Sequence, residues 1–181
     1  MHLIADFVGK ILLKEKQVSN DLLIWKKMLI LELIKHNATT YDLKPSLVYG
    51  VCRQESNLNP LAARYESHYR WTLPKIKVPG CSSKTEEMLQ KTSIGLMQVM
   101  GAVYRELGFT GWLTELFTNP DKQLEYGCRF LSKKIRKYGF EEGVLSYNSG
   151  SPIKLKTGEY INQYYLDRVI RFEKEWETQW K

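Results

Sequence analysis

Few residues that commonly carry chemistry are present in numbers. The three histidines, His2, His36 and His68, lie far apart, and no Cys-x-x-Cys pair exists. The ligand spacing of a zinc site is therefore missing, and no metal is expected. Cys52, Cys81 and Cys128 are an odd number and few for 181 residues, so no disulfide framework is implied. Cys52 and Cys128 fall in helical patterns and read as small core residues. There is no glycine-rich phosphate loop, and "YNSGSP" does not fit G-x-S-x-G. Nucleotide cofactors and a serine nucleophile lose their usual signatures, and no cofactor is expected. Long apolar runs are absent as well. Nothing reaches the ~18 residues of a membrane span. "MHLIADFVGKILLKEK" is broken by Asp6, Lys10, Lys14 and Glu15, which does not suit a secretory signal. The expectation is a soluble chain without a Sec leader.

What is there suits one helical domain. Hydrophobic residues make up 43% and charged residues 26%, as in a globular protein with a sizeable core. The formal charge of +7 favours polyanions in general, whether nucleic acid, anionic lipid or cell wall. Apolar spacing predicts helices over 3–16 and 22–35, with "HNATTYD" as a connector. Pro45 opens a further helix that "SNLNP" stops. Residues 61–92 read as irregular, with a small hairpin at "KIKVPGCSS". Helical patterns resume over 94–107. Asn119-Pro120 caps a helix running to about Lys137, "EEGVLSYN" is a short helix, and a last one spans about Tyr160 to Trp176.

One acid is out of place. Leu47, Val48, Val51 and Cys52 make the apolar stripe of the helix begun at Pro45. At ~100° per residue, Glu55 falls in the middle of that stripe. Its neighbours three and four positions away are Val51, Cys52, Leu58 and Asn59, so no local ion pair is available. A carboxyl aimed inward without a basic neighbour takes up a proton readily. Its pKa is expected above that of a free Glu. With Gln98, Tyr147, Asn148 and Tyr165, it makes a set of one acid, amides and aromatics. Such a set suits sugars, whose ring faces pack on aromatics and whose polar groups need neutral partners.

"QES" at 54–56, "TSIGLMQVMG" at 92–101, "NPDKQLEYGCRFL" at 119–131, "SYNSG" at 146–150 and "YYLDRV" at 164–169 occur in order. Together they resemble the soluble lytic transglycosylase (SLT) family, with its goose-type lysozyme-like fold, over roughly residues 43–170. The fold implied is mainly α, with at most a small β-hairpin. Residues 1–36 would be N-terminal helices packing on or docking a catalytic domain at 37–181. The spacing from Glu55 to "GLMQ" is longer than usual in the family, which makes 61–92 an insertion. With Tyr65, Tyr69 and Trp71, that insertion is either a flap over the glycan or a surface loop packed on itself.

The resemblance implies that Glu55 is the sole catalytic acid/base. Ser56 would contact a sugar N-acetyl group. Met97 and Gln98 would line the cleft, with Gly95 letting the backbone approach closely. Tyr147 and Asn148 would bind substrate, and Tyr165 would flank the catalytic carboxyl. "GEYINQY" departs from the family's Glu-Thr signature before that tyrosine. The implied reaction is cleavage of the MurNAc-β-1,4-GlcNAc bond of peptidoglycan with formation of 1,6-anhydro-MurNAc. A muramidase hydrolysing the same bond stays open, with Glu66 as the nearest second carboxylate. So does a non-catalytic basic structural or nucleic-acid-binding protein. The run "KKIRK" reads as a solvated helix face. A wall substrate without a Sec leader points to a bacteriophage lysis enzyme or virion component; a host enzyme exported by a dedicated machine is the alternative.

Overall fold

The computed structural model describes residues 27–73 and 76–179. The expected helix over 3–16 and the start of that over 22–35 lie outside these residues. The chain divides into two units, 1–32 and 33–181. Of the first, residues 27–32 are helical.

The second unit opens with α1 (33–40). The helix runs through "HNATT", a stretch whose composition suggested a connector. The polar side chains fold back instead of breaking it. Thr39 and Thr40 donate to the carbonyls of Lys35 and His36, both at 2.9 Å. Ala38 is fully buried. Helix α2 (Pro45–Ser56) has proline in its first turn, where no amide is missed. It ends as Asn57 turns left-handed at φ 53°, a conformation asparagine tolerates better than most residues.

Residues 61–92 are more ordered than their composition suggests. Strand β1 (Ala63–Tyr65) pairs antiparallel with β2 (Thr92–Ile94), which pairs with β3 (Val99–Met100). Between β1 and β2 lies α3 (Ser83–Gln90), whose start is fixed by Ser82 accepting from the Thr85 amide. The small β element expected at "KIKVPGCSS" is therefore displaced. The sheet forms at 63–65, 92–94 and 99–100, while the described residues 76–82 form no strand. The helix expected over 94–107 shrinks to α4 (Gly101–Glu106). Gly95 and Gln98, at φ 78° and 46°, make a tight turn that no α-helix accommodates.

Beyond the short 3-10 stretch Leu113–Thr118, α5 (Pro120–Tyr138) starts where Asn119 caps the Lys122 amide at 3.1 Å. Helix α6 (Phe140–Ser149) follows, and α7 (Gln163–Gln179) ends the described chain. Ile161 precedes α7 and is exposed, so the last helix begins later than its apolar spacing suggested.

Two sets of contacts hold the elements around the site. Helices α2 and α7 pack at Gly50, where a Cβ would meet the Val169 carbonyl at 2.6 Å. They are tied by Ser46 donating to Glu173 and by Arg53 over the Phe172 ring. Apart from this, α3 and α4 are clamped by an ion pair. Arg105 donates to both Glu86 oxygens, at 2.7 and 2.9 Å, and to the carbonyls of Phe109 and Gly111. Gln90 donates to the same carboxylate at 3.0 Å. Both charged side chains are almost completely buried.

Candidate active site

A cavity of about 760 Å³ opens beside the C-terminal end of α2. Glu55, Ser93 and Gln98 line it, with Val99 and Met100 of β3 and Val103 and Glu106 of α4. On one side stand Arg64 of β1 and the arm that follows, with Glu66, His68, Tyr69 and Trp71. On the other stand Phe130 and Lys134 of α5 with Tyr147 to Ser151 at the end of α6.

Glu55 reaches the cavity because α2 buries the stripe it belongs to. Val48, Val51 and Cys52 are fully buried. No described basic residue forms an ion pair with Glu55. Its carboxyl is held above the ordinary glutamate value, chiefly by burial; a hydrogen bond from Tyr165 and the charge of Arg64 partly oppose this. Tyr165 Oη donates to Glu55 Oε1 at 2.7 Å. Tyr165 is itself buried, which pushes its phenol well above the usual tyrosine range. The phenol remains a donor at any working pH. The neighbouring Tyr164 is exposed and instead accepts from Arg168.

The other expected site residues fall into two groups. Gln98, Tyr147 and Asn148 line the cavity, but only Asn148 offers it an uncommitted polar group. Gln98 Nε2 donates to the Ala62 and Gly95 carbonyls at 3.0 and 2.8 Å, and its Oε1 accepts from Ser93 at 2.9 Å. It holds the 95–98 turn together. Tyr147 Oη donates to the Met97 carbonyl at 2.7 Å, and its ring packs on Phe130. Gly95, Met97 and Ser56 are not on the cavity wall. Met97 is fully buried, so its carbonyl, not its side chain, serves the site. Gly95 backs onto Gln123, whose side chain occupies the space of a Cβ. The Ser56 hydroxyl donates to the Leu96 carbonyl at 2.8 Å, tying α2 to the turn.

Several lining residues carry no signal in the sequence. Phe130 and Lys134 sit on α5, where Lys134 lies over the Phe130 ring at 5.1 Å and donates to the Gly150 carbonyl. One member of the supposed solvated run "KKIRK" thus faces the cavity. Asn162 touches Asn148 from the turn before α7, and nothing in its spacing marked it, since that partner lies 14 residues away. Tyr69 and Trp71 of the arm do line the cavity, with rings 5.4 Å apart in an edge-on pair. Trp71 is 70% exposed, so one large apolar face is open to a ligand. No cluster of three or more His, Cys, Asp or Glu able to hold a metal occurs among the described residues. None of their helices is long and apolar enough to cross a membrane.

An acid whose pKa burial raises, beside a phenol that donates to it, can give up a proton and take one back. A family model described as "Transglycosylase SLT domain" matches residues 32–165. Curated relatives named "Membrane-bound lytic murein transglycosylase C" occur in Actinobacillus pleuropneumoniae serotypes 5b, 3 and 7. Each is 25% identical over 156 residues, covering 77% of this chain and 35% of the relative. The chain thus spans about a third of the length of the curated relatives it matches.

Proposed function

The chain belongs to the transglycosylase SLT domain family, and from that membership we propose that it is a peptidoglycan lytic transglycosylase with Glu55 as its single acid/base. The observation that carries this reading is the half-buried Glu55 carboxyl, which has no ion-pair partner among the described residues and is hydrogen-bonded to Tyr165. The relatives' name, lytic murein transglycosylase, supports the same substrate. The open face of Trp71 supports a role for the arm as a surface for a sugar ring.

The reaction runs in two proton transfers. Protonated Glu55 gives its proton to the glycosidic oxygen between MurNAc and GlcNAc as the C1–O bond breaks. The carboxylate, steadied by Tyr165, then takes the proton of the MurNAc C6 hydroxyl as that oxygen bonds to C1. A 1,6-anhydro ring closes and no water is consumed. One carboxyl suffices because the two steps are successive; two-acid glycosidases divide the same work.

Glu66 favours a competing reading, since it lines the same cavity and could activate water. Its carboxylate is engaged by Arg64 at 2.5 Å, which supports a structural role and the transglycosylase reading. Digestion of sacculi in heavy-oxygen water tests this. An unlabelled anhydro end is expected; label in a reducing end would mean hydrolysis. Loss of cutting in Glu55→Gln is expected in either case, and full activity there would overturn both. A bacteriophage lysis or virion role is a separate proposal. It is tested by searching purified virions for the chain, with absence from particles and lysates alike counting against it.

A further inference from the structure

We propose that Asn162 sets which end of the Asn148 amide faces the cavity, and thereby makes the site select N-acetylated sugars. The inference rests on the glycan function proposed for the cavity and adds a specificity-determining residue to it.

The Leu145 carbonyl fixes the polarity of the pair. A carbonyl can only accept, so the Asn162 atom bonded to it at 2.9 Å must be the amide nitrogen. The second hydrogen of that nitrogen points at Asn148, whose facing atom at 3.1 Å must then be Oδ1. Asn148 is exposed and lines the cavity. With Oδ1 engaged, its Nδ2 is left as a donor without a partner among the described residues. Turning Asn162 round would oppose two oxygens at Leu145. The present orientation leaves Asn162 Oδ1 buried without a partner, so the fold accepts an unsatisfied acceptor to keep this polarity. The same residue helps place the acid's partner, because the Asn162 carbonyl accepts from the Tyr165 amide at 2.8 Å.

A fixed donor is indifferent to hydroxyls, which both give and accept. It discriminates between an acetamido group, whose carbonyl accepts, and the ammonium of a de-N-acetylated sugar, which only donates. Reversing the Asn148 amide would reverse that preference.

The test measures kcat and KM on glycan strands with and without their N-acetyl groups. The wild-type chain is expected to prefer N-acetylated strands. In Asn162→Asp, the new carboxylate loses the bond to the Leu145 carbonyl and turns from it, draws the Asn148 Nδ2 toward itself and turns the Asn148 Oδ1 to the cavity. KM on N-acetylated strands should rise about tenfold, the worth of one hydrogen bond, with kcat little changed. The ratio of kcat/KM between the two substrates should fall by more than that. Asn148→Asp, at an exposed position where folding is not at risk, should reproduce the fall. The Asn162→Asp, Asn148→Asp double variant should add little. A substrate ratio unchanged in Asn148→Asp, or in a folded Asn162→Asp with only a lower Tm, would overturn the inference. A wild-type chain that neither binds nor cuts either strand would instead overturn the glycan function itself.

Discussion

Glu86 is buried and Glu55 half-buried, and the fold treats the two carboxyls in opposite ways. Glu86 meets Arg105 through both oxygens and takes a third bond from Gln90. Burial alone would raise its pKa, but these partners outweigh burial and hold it below the usual carboxylate range. Glu55 is denied a cation at bonding distance and given a phenol, so burial prevails and its proton is held more tightly. The first arrangement stabilises a charge; the second stabilises the neutral acid. Burial sets no protonation state without the partner, and the partner decides whether a buried carboxyl is a strut or a reagent.

The contrast is sharpest in Glu55→Gln. Cutting of sacculi should fall by roughly two to four orders of magnitude, the usual weight of a general acid. Stability should move the other way. A carboxyl whose folded pKa is raised binds its proton more readily in the folded chain, so stability declines as pH rises from the unfolded value through the folded one. The amide has nothing to lose there. Its Tm should match or exceed the wild-type Tm at neutral pH, and the gain should vanish in acid. Thermal melts from about pH 4 to about pH 8, a range that brackets an ordinary and a raised carboxyl pKa, check this.

Glu86→Ala should do the reverse, with a large loss of stability and little direct effect on chemistry. Leaving Arg105 buried and unpaired costs about 3–5 kcal/mol, a fall in Tm on the order of 10 °C. For the wild-type pair, stability is present above the unfolded carboxyl pKa and is lost as pH falls through the depressed folded one. Replacing both members with apolar residues should recover much of the loss, which denaturant titration of the single and double variants would show.

Tyr165→Phe blurs the comparison from the other side. Removing the phenol leaves the Glu55 carboxylate without a donor, so the pKa rises further and the alkaline limb of the rate profile, where the acid loses its proton, moves to higher pH. Activity should fall about ten- to a hundredfold, the worth of a hydrogen bond to a charged group. A profile left in place would mean that the phenol does not touch the reacting carboxyl. The smallest effect is expected from Trp71→Ala, a rise of several-fold in KM on long strands with kcat unchanged. Steady-state kinetics with strands of defined length would read it.

How much of this was open to a reader of the sequence depended on the range of the interaction. Glu55 stood out because the apolar stripe it interrupts lies on the same short helix. The Asn119 cap and Pro45 start were equally local. Gln98 was expected at the cleft and lines the cavity, but its bonds to Ala62, Gly95 and Ser93 left no trace, because those partners come together only through strand register. Ser56 and Met97 lie off the cavity wall, and their bonds to the Leu96 carbonyl and from the Tyr147 hydroxyl were equally hidden. Helix α3 was missed although Ser82 followed by Thr85 and Glu86 is a start signal. Glycine, proline and serine before it suggested a loop. The Glu86–Arg105 pair and the Asn162–Asn148 contact left no periodic trace. Nothing along the chain marks a partner 14 or 19 residues away.

Gly50 sits about one and a half turns before the Glu55 carboxyl, on the helix that carries it. Because no side chain stands there, α2 lies directly on the backbone of α7, which carries the phenol. One methyl inserted at that crossing would act as a shim between two machine parts. It would open a gap whose far end is the 2.7 Å joint between acid and phenol. The fit between acid and phenol is thus machined into a position away from the cavity wall.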